Sequence, residues 1–265
     1  FANNERTQFS YTGLVNNPIL GSFIPYTPLG GALVWAPKKE HNLTLLATQA
    51  TGDATTSGFD NFNGEYTVGG QYQFSPTIGG TLPGHYLVLV GYSHKDLLDF
   101  DIDPRHLIGE IIGAVPVATK SNNYAVLVNF DQYLWVKGGS PAEGRKHLPP
   151  VGIGIFGRAG WAPKDRNVID QFYSFGIGGY GMLIPGRDND RWGLGWAGTH
   201  ISSDLRNALG PLGRRLNSFE HAGEVFYNFQ VTPAVHLTVN AQVIDSVVKA
   251  TDTAFTIGTR LQVDF

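Results

Sequence analysis

Asn129, Asp131, Arg158, Glu224, Asn228, Asn240, Gln242, Arg260 and Gln262 have one feature in common: each occupies a polar position in a stretch where polar and apolar residues alternate. Together they supply hydrogen-bond donors and acceptors without a metal or a cofactor. Gathered on one face of a set of strands, they would line a water-filled space. Several weak contacts of this kind suit a selective but fast pore, because a solute must bind well enough to enter and loosely enough to leave. Their plainer role is to solvate that same space. Phe156, Phe226 and Tyr133 are the rings that could stack on an apolar face of a solute.

Other chemistry finds less support. Asp99-Phe100-Asp101-Ile102-Asp103 carries carboxylates at alternate positions, as calcium loops do, but lacks the loop glycine and the distal glutamate. It reads as an acidic solvated connection, with calcium as a minor alternative. Gly176-Ile177-Gly178-Gly179 is followed by no Lys and no helical pattern, so it is no phosphate cradle. It reads as small residues that leave room for an opposing loop. The eight histidines show no metal-ligand spacing, and no G-x-S-x-G nucleophile motif occurs. The chain contains no cysteine, which removes disulfides and thiolate chemistry. The expectation is a protein that is not an enzyme and needs no cofactor.

The polar residues need elements that hold them in phase. Period-two alternation supplies these almost everywhere. In the last segment Phe255, Ile257, Leu261, Val263 and Phe265 oppose Thr256, Gly258, Arg260, Gln262 and Asp264. Before it, Leu237, Val239, Ala241 and Val243 oppose Thr238, Asn240 and Gln242. Similar alternation runs through 223–230, 192–197, 173–178, 153–161, 124–131 and 66–74, and less cleanly through 85–94, 42–50 and 31–37. The total is about eleven strands, joined by hairpin-type links. Short links with Pro or Gly, such as Pro37-Lys38-Lys39, Ser75-Pro76 and Pro185-Gly186-Arg187-Asp188, alternate with longer ones at 51–64, 95–122 and 202–217. An outer-membrane barrel has short periplasmic turns and long outer loops. The connection 137–150 is longer than such a turn.

Composition narrows the class. Charged residues make up 15% of the chain, against roughly 25% in a soluble globule. Mean hydropathy is nevertheless −0.10, and no apolar run approaches the roughly 18 residues of a membrane helix. The net charge of −3 and the absence of a basic run give nucleic acid nothing to hold. A soluble sheet also alternates. The residue types favour a membrane wall: aliphatic side chains at mid-strand, with Tyr66, Trp161, Tyr173, Trp192 and Phe265 near strand ends, as in the aromatic girdles of a bilayer. Lys or Arg on a lipid-facing midplane position costs roughly 2–4 kcal/mol, and the apolar phase contains none. The fold class is all-β, a transmembrane antiparallel up-and-down β-barrel. A spanning sheet must close, and single-chain bacterial barrels have even strand counts. An odd count therefore predicts further strands upstream of Phe1.

Four blocks carry a family resemblance. These are Phe1-Ala2-Asn3-Asn4-Glu5-Arg6-Thr7-Gln8-Phe9, Gly154-Ile155-Phe156-Gly157-Arg158-Ala159-Gly160-Trp161-Ala162-Pro163, Leu183-Ile184-Pro185-Gly186-Arg187-Asp188-Asn189-Asp190 followed by Trp192-Gly193-Leu194-Gly195, and the ending Gly258-Thr259-Arg260-Leu261-Gln262-Val263-Asp264-Phe265. In this order they resemble the carbohydrate-selective porins of the OprB family. The resemblance implies a barrel of about 16 strands in the bacterial outer membrane, passing mono- and small oligosaccharides by passive diffusion. Residues 1–28 would then be the pore-constriction loop, and residues 29–265 the barrel strands. Asn3, Asn4, Glu5, Arg6, Thr7 and Gln8 would line the pore with the wall residues named above. The implied partners are small sugars and the lipid bilayer, with trimer and monomer both open. The alternatives are a general porin, a barrel enzyme with a rim cluster near His221, a barrel plugged by its own loops, and a soluble β module.

Overall fold

The computed structural model describes residues 1–265 except 26, 27, 53, 54, 56, 61, 62, 114, 140–148, 211–214 and 265. Phe265 and parts of the connections 51–64, 95–122, 137–150 and 202–217 thus lie outside the described residues. Eleven long strands form one ladder: β1 (Gly30–Lys38), β2 (His41–Gln49), β3 (Tyr66–Phe74), β5 (Leu82–Leu98), β6 (Thr119–Val136), β7 (Gly152–Trp161), β8 (Ile169–Tyr180), β9 (Arg191–Ile201), β10 (Phe219–Thr232), β11 (Val235–Asp245) and β12 (Ala254–Val263). The two-residue β4 (Thr77–Ile78) pairs only with β5. Each strand of the ladder pairs antiparallel with its neighbour in sequence. That is the up-and-down order the alternation predicts. Among the described residues, β1 and β12 each keep one unpaired edge.

The two phases separate as expected. One face carries Tyr66, Val68, Val88, Val90, Val126, Val128, Leu194, Val225, Val239 and Ile257. These side chains do not meet one another in a dry centre: Val90 is 53% exposed, Leu194 57% and Val225 50%. Such an extended apolar face suits contact with hydrocarbon. Aromatic residues flank it at both ends. Tyr66, Tyr124, Trp161 and Tyr173 stand toward the long connections, and Tyr72, Phe74, Tyr86 and Phe130 toward the short ones. A register shift between Tyr133 and Trp135 inverts the phase, so Trp135 joins the outward aromatics. The strand-length alternation in 124–131 gives no sign of this shift.

Two strands run further than the apolar alternation predicts. Beyond a shift at Ser93/Asp96, the β5–β6 ladder continues with Asp96, Leu97 and Leu98 opposite Ser121, Lys120 and Thr119. Beyond the hydrocarbon a strand needs no apolar phase, so its polar end is silent to a periodicity test. The expected connection 95–122 thereby contracts to 99–118. Its acidic stretch is spent locally. Asp99 lies 3.1 Å from Lys120 Nζ, and Asp103 Oδ1 accepts the Arg105 N–H at 2.7 Å to start α2 (Pro104–Ile111). Among the described residues no group of three or more His, Asp or Glu is placed to hold a metal ion.

The two rims are tied by charge. In the short link before β9, the buried Asp190 accepts from Arg187 Nη2 at 2.9 Å, Tyr227 OH at 2.8 Å and the Gln230 N–H at 3.0 Å. This fixes the turn to β10. At the opposite rim, in the link 162–168, Asp165 accepts from Arg166 Nε at 2.9 Å and Lys120 Nζ at 3.1 Å. The Arg166 hydrogen bond is the largest influence; it and Lys120 outweigh burial and hold the Asp165 carboxyl down at about 2.

Two outcomes follow. Val225→Arg is expected to lower the unfolding free energy in lipid vesicles, read by urea titration, by about 2–4 kcal/mol, while Gln71→Arg on the opposite phase stays within about 1 kcal/mol. Asp165 has a folded pKa below its ordinary 3.8, so its stabilisation is present above 3.8 and is lost as pH falls through about 2. Pepsin should therefore clip the 162–168 link at about pH 2 but spare it at about pH 4, and Asp165→Asn should be clipped at both.

Candidate functional site

The ladder's second face is not left open. Residues 1–25 lie against it, through α1 (Thr12–Val15) and a 3-10 turn at Pro18–Ser22. Phe9, Leu14, Ile19 and Phe23 recur at intervals of four or five and are buried against Ala125, Leu127, Phe156, Phe172, Ala197 and Phe226. The Phe9 ring meets Phe226 edge-on, centroids 4.7 Å apart, and Phe156 at 5.4 Å. Aromatic pairs of this geometry add to simple burial.

Glycine makes the seat. Cross-strand register sets Gly195, Glu224 and Gln242 in one row and Gly193, Phe226 and Asn240 in the next. A Cβ at Gly195 would come within 2.8 Å of Leu14, and one at Gly193 within 2.8 Å of Phe9. A larger residue there would force the Leu14 or Phe9 side chain to shift. In the glycine run read as leaving room for an opposing loop, a Cβ at Gly178 would come within 3.4 Å of Phe1.

Charged wall residues grip the segment's backbone. The Arg158 guanidinium donates to the Leu14 carbonyl at 2.5 Å and to the Ala2 carbonyl. Arg260 Nη2 donates to the Gln8 carbonyl at 2.8 Å, and Arg191 to Thr7 Oγ1. Glu224 accepts from the Ser10 and Tyr11 N–H groups at 2.9 and 2.7 Å. Residues 3–8 fold into a tight turn closed by Gln8 N–H to the Asn4 carbonyl at 2.9 Å. The Gln8 side chain accepts from the Asn3 and Asn4 N–H groups. Asn3, Glu5 and Arg6 remain exposed on that turn, while Thr7 and Gln8 are buried.

A cleft of about 360 Å³ lies beside this turn. Asn3, Gln73, His85, Asn129, Asp131 and Arg158 supply its polar lining. His85 Nδ1 and Asp131 Oδ1 are 3.0 Å apart. Asn129 Oδ1 is buried with no partner among the described residues. The arrangement offers donors and acceptors side by side, with no nucleophile and no metal set among the described residues. A larger depression, about 770 Å³, lies on the outward face among Leu45, Val68, Gly70 and Val90, where a solute would find almost nothing polar.

The structure thus divides the residues expected from sequence. Asn3, Asn129, Asp131 and Arg158 come together at the cleft, and Glu5 and Arg6 stand exposed on the turn next to it. Asn4 and Gln8 shape that turn. Asn240 binds Ser10 Oγ at 2.6 Å, and Gln262 binds Asp264 at 2.8 Å. Two expectations need correction. Glu224 is 1% exposed and Asn228 0%, so they lie beneath the segment or within the wall, not on an open surface. Asn228 is spent on Thr238 at 2.7 Å and His236 at 3.0 Å. Phe156, Phe226 and Tyr133 are likewise covered, the first two by Phe9 and the third by Phe1 at 4.6 Å. Sequence reading missed His85, which opens a stretch with weak alternation. It also missed the Phe9, Leu14, Ile19 and Phe23 stripe, whose spacing was the available signal.

Gly195→Val should leave the β9–β10 ladder intact while displacing Leu14. Amide hydrogen exchange over residues 8–15 is expected to quicken about tenfold or more, with β9 and β10 unchanged; equal exchange in the segment would contradict the seating described.

The family model described as carbohydrate-selective porin, OprB family, matches residues 1–265. A comparison with curated proteins returned no match. Among solved structures, the chain is similar to a high-pH structure of Pseudomonas putida OprB, at 20% identity and TM-score 0.77, covering 93% of this chain and 62% of that one. A low-pH structure of the same protein gives 17% identity and TM-score 0.54, covering 88% and 54%. The outer membrane channel DcaP of Acinetobacter baumannii gives 13% identity and TM-score 0.51, covering 88% and 61%. The chain therefore spans about three fifths of the length of the porin structure it matches. At these identities the structural likeness carries the fold alone, the wall of an antiparallel β-barrel, and the match over 1–265 carries the family: this chain belongs to the carbohydrate-selective porins of the OprB family.

Proposed function

We propose that this chain forms wall and constriction of an outer-membrane porin that passes mono- and small oligosaccharides by diffusion. The observation that carries the reading is the polar cleft beside the exposed turn Asn3–Arg6, on the face opposite the lipid-facing one. A sugar presents many hydroxyls and no net charge. It is matched by several donors and acceptors of modest strength, not by one tight pocket. Asn3, Asn129, Asp131 and His85 offer such groups within one cleft. Glu5 and Arg6, of opposite charge and adjacent, would set the field at the narrowest passage. Arg158, Glu224 and Arg260 act one step back, by holding the segment that narrows the lumen. Residues 1–28 serve as the constriction and 29–265 as the wall, with short turns toward the periplasm and long connections outward.

Planar-bilayer and liposome-swelling measurements on the full-length protein test this. Arg6→Ala is expected to shift ion selectivity toward cations and to change sugar flux, with the heat resistance of the barrel unaltered. Equal flux of glucose and a charged solute of the same size would leave a general porin. Absence of any conductance would remove the pore altogether.

A further inference from the structure

The exposed turn can set an aperture only if residues 1–25 stay seated. Most of the seat is apolar contact, which resists lifting but tolerates sliding. The polar grips differ in kind. Arg158 and Arg260 hold carbonyl groups of the segment. Glu224 holds N–H groups, and it does so from full burial. Its carboxylate accepts from the Ser10 N–H at 2.9 and 3.1 Å, from Ser10 Oγ at 3.0 Å and from the Tyr11 N–H at 2.7 Å. Asn240 Nδ2 at 3.1 Å and Gln242 Nε2 at 3.2 Å brace it from the next strand. The same two amides also donate to Ser10 Oγ, both at 2.6 Å. Four residues thus close one network around a single charge. On the same strand, Glu220 accepts the Tyr11 hydroxyl at 3.0 Å.

We infer that Glu224 is a positioning residue for permeation: its buried carboxylate latches Ser10 and Tyr11 to β10 and thereby sets and steadies the aperture at the exposed turn two to seven residues upstream. The inference rests on the porin reading above. An ionised carboxylate offers about four lone-pair sites and no donor, which suits a ring made wholly of donors. A glutamine has the same shape but turns N–H groups toward N–H groups. The latch would open while the barrel wall, whose ladder does not use this side chain, stays paired.

The test uses full-length protein in planar bilayers and sugar-loaded liposomes, comparing wild type with Glu224→Gln. The variant is expected to show several-fold greater open-channel current noise and to admit larger oligosaccharides, with heat resistance retained. A Glu224→Gln channel as quiet and as size-limited as wild type overturns the inference, and so does noise that comes only with a matching loss of heat resistance. If that variant does not assemble, Asn240→Leu with Gln242→Leu removes two of the braces and leaves the carboxylate. It should be noisier than wild type, and a quiet channel from it overturns the inference. A wild type that conducts nothing refutes the porin reading instead, before any variant is compared.

Discussion

Hydrocarbon offers a backbone no hydrogen-bond partner, and this chain is arranged around that fact. Every long strand between β1 and β12 pairs on both sides with the next long strand in sequence. Once the ladder satisfies the backbone, the side chains are free to divide by phase, and they do so into an outward apolar set and an inward polar one. The constraint also explains the low charge content. A charged side chain is costly on one phase, so the charges collect on the other and at the rims, where Asp165 and Asp190 are paired.

The inward phase is where this wall departs from a plain water-filled tube. Much of its polar lining is turned to holding a piece of the same chain. Gly193 and Gly195 make the space, Phe156 and Phe226 supply the contact, and Arg158, Glu224 and Arg260 take the backbone groups that α1 and the turns leave unpaired. Among the described residues, what remains available includes Asn3, Glu5 and Arg6 on the turn, and Gln73, His85, Asn129 and Asp131 at the cleft. A buried charge is stable only when its partners surround it. The residues that hold and the residues that meet water are therefore largely different ones, with Arg158 doing both.

The wall was legible in the sequence because a strand writes its environment with period two, and ten of its residues suffice to show it. The phase of Val225 against Glu224, or of Leu237 against Thr238, needs no tertiary information. The ends of β5 and β6 were not legible, because Asp96 to Leu98 and Thr119 to Ser121 pair in water, where either phase is tolerated. The site was legible by type and not by use. That Asn129, Asp131, Arg158 and Glu224 face inward follows from alternation. That Glu224 is covered depends on where residues 1–25 come to rest, and contacts across 214 positions leave no local pattern; that Asp131 meets His85 depends on the β5–β6 register, which the weak alternation of 85–94 does not reveal.

Those separations bear on the order of events during assembly. Each ladder joins strands adjacent in sequence, so hairpins can zip one onto the next with short loops to close. The segment is different. Ser10 waits for Glu224, 214 residues later, and Gln8 for Arg260, 252 residues later. Its docking closes the longest loops among the described residues and needs β10 to β12 in place. The segment is therefore expected to settle onto the wall after those strands have paired, its docking following the zipping of the hairpins.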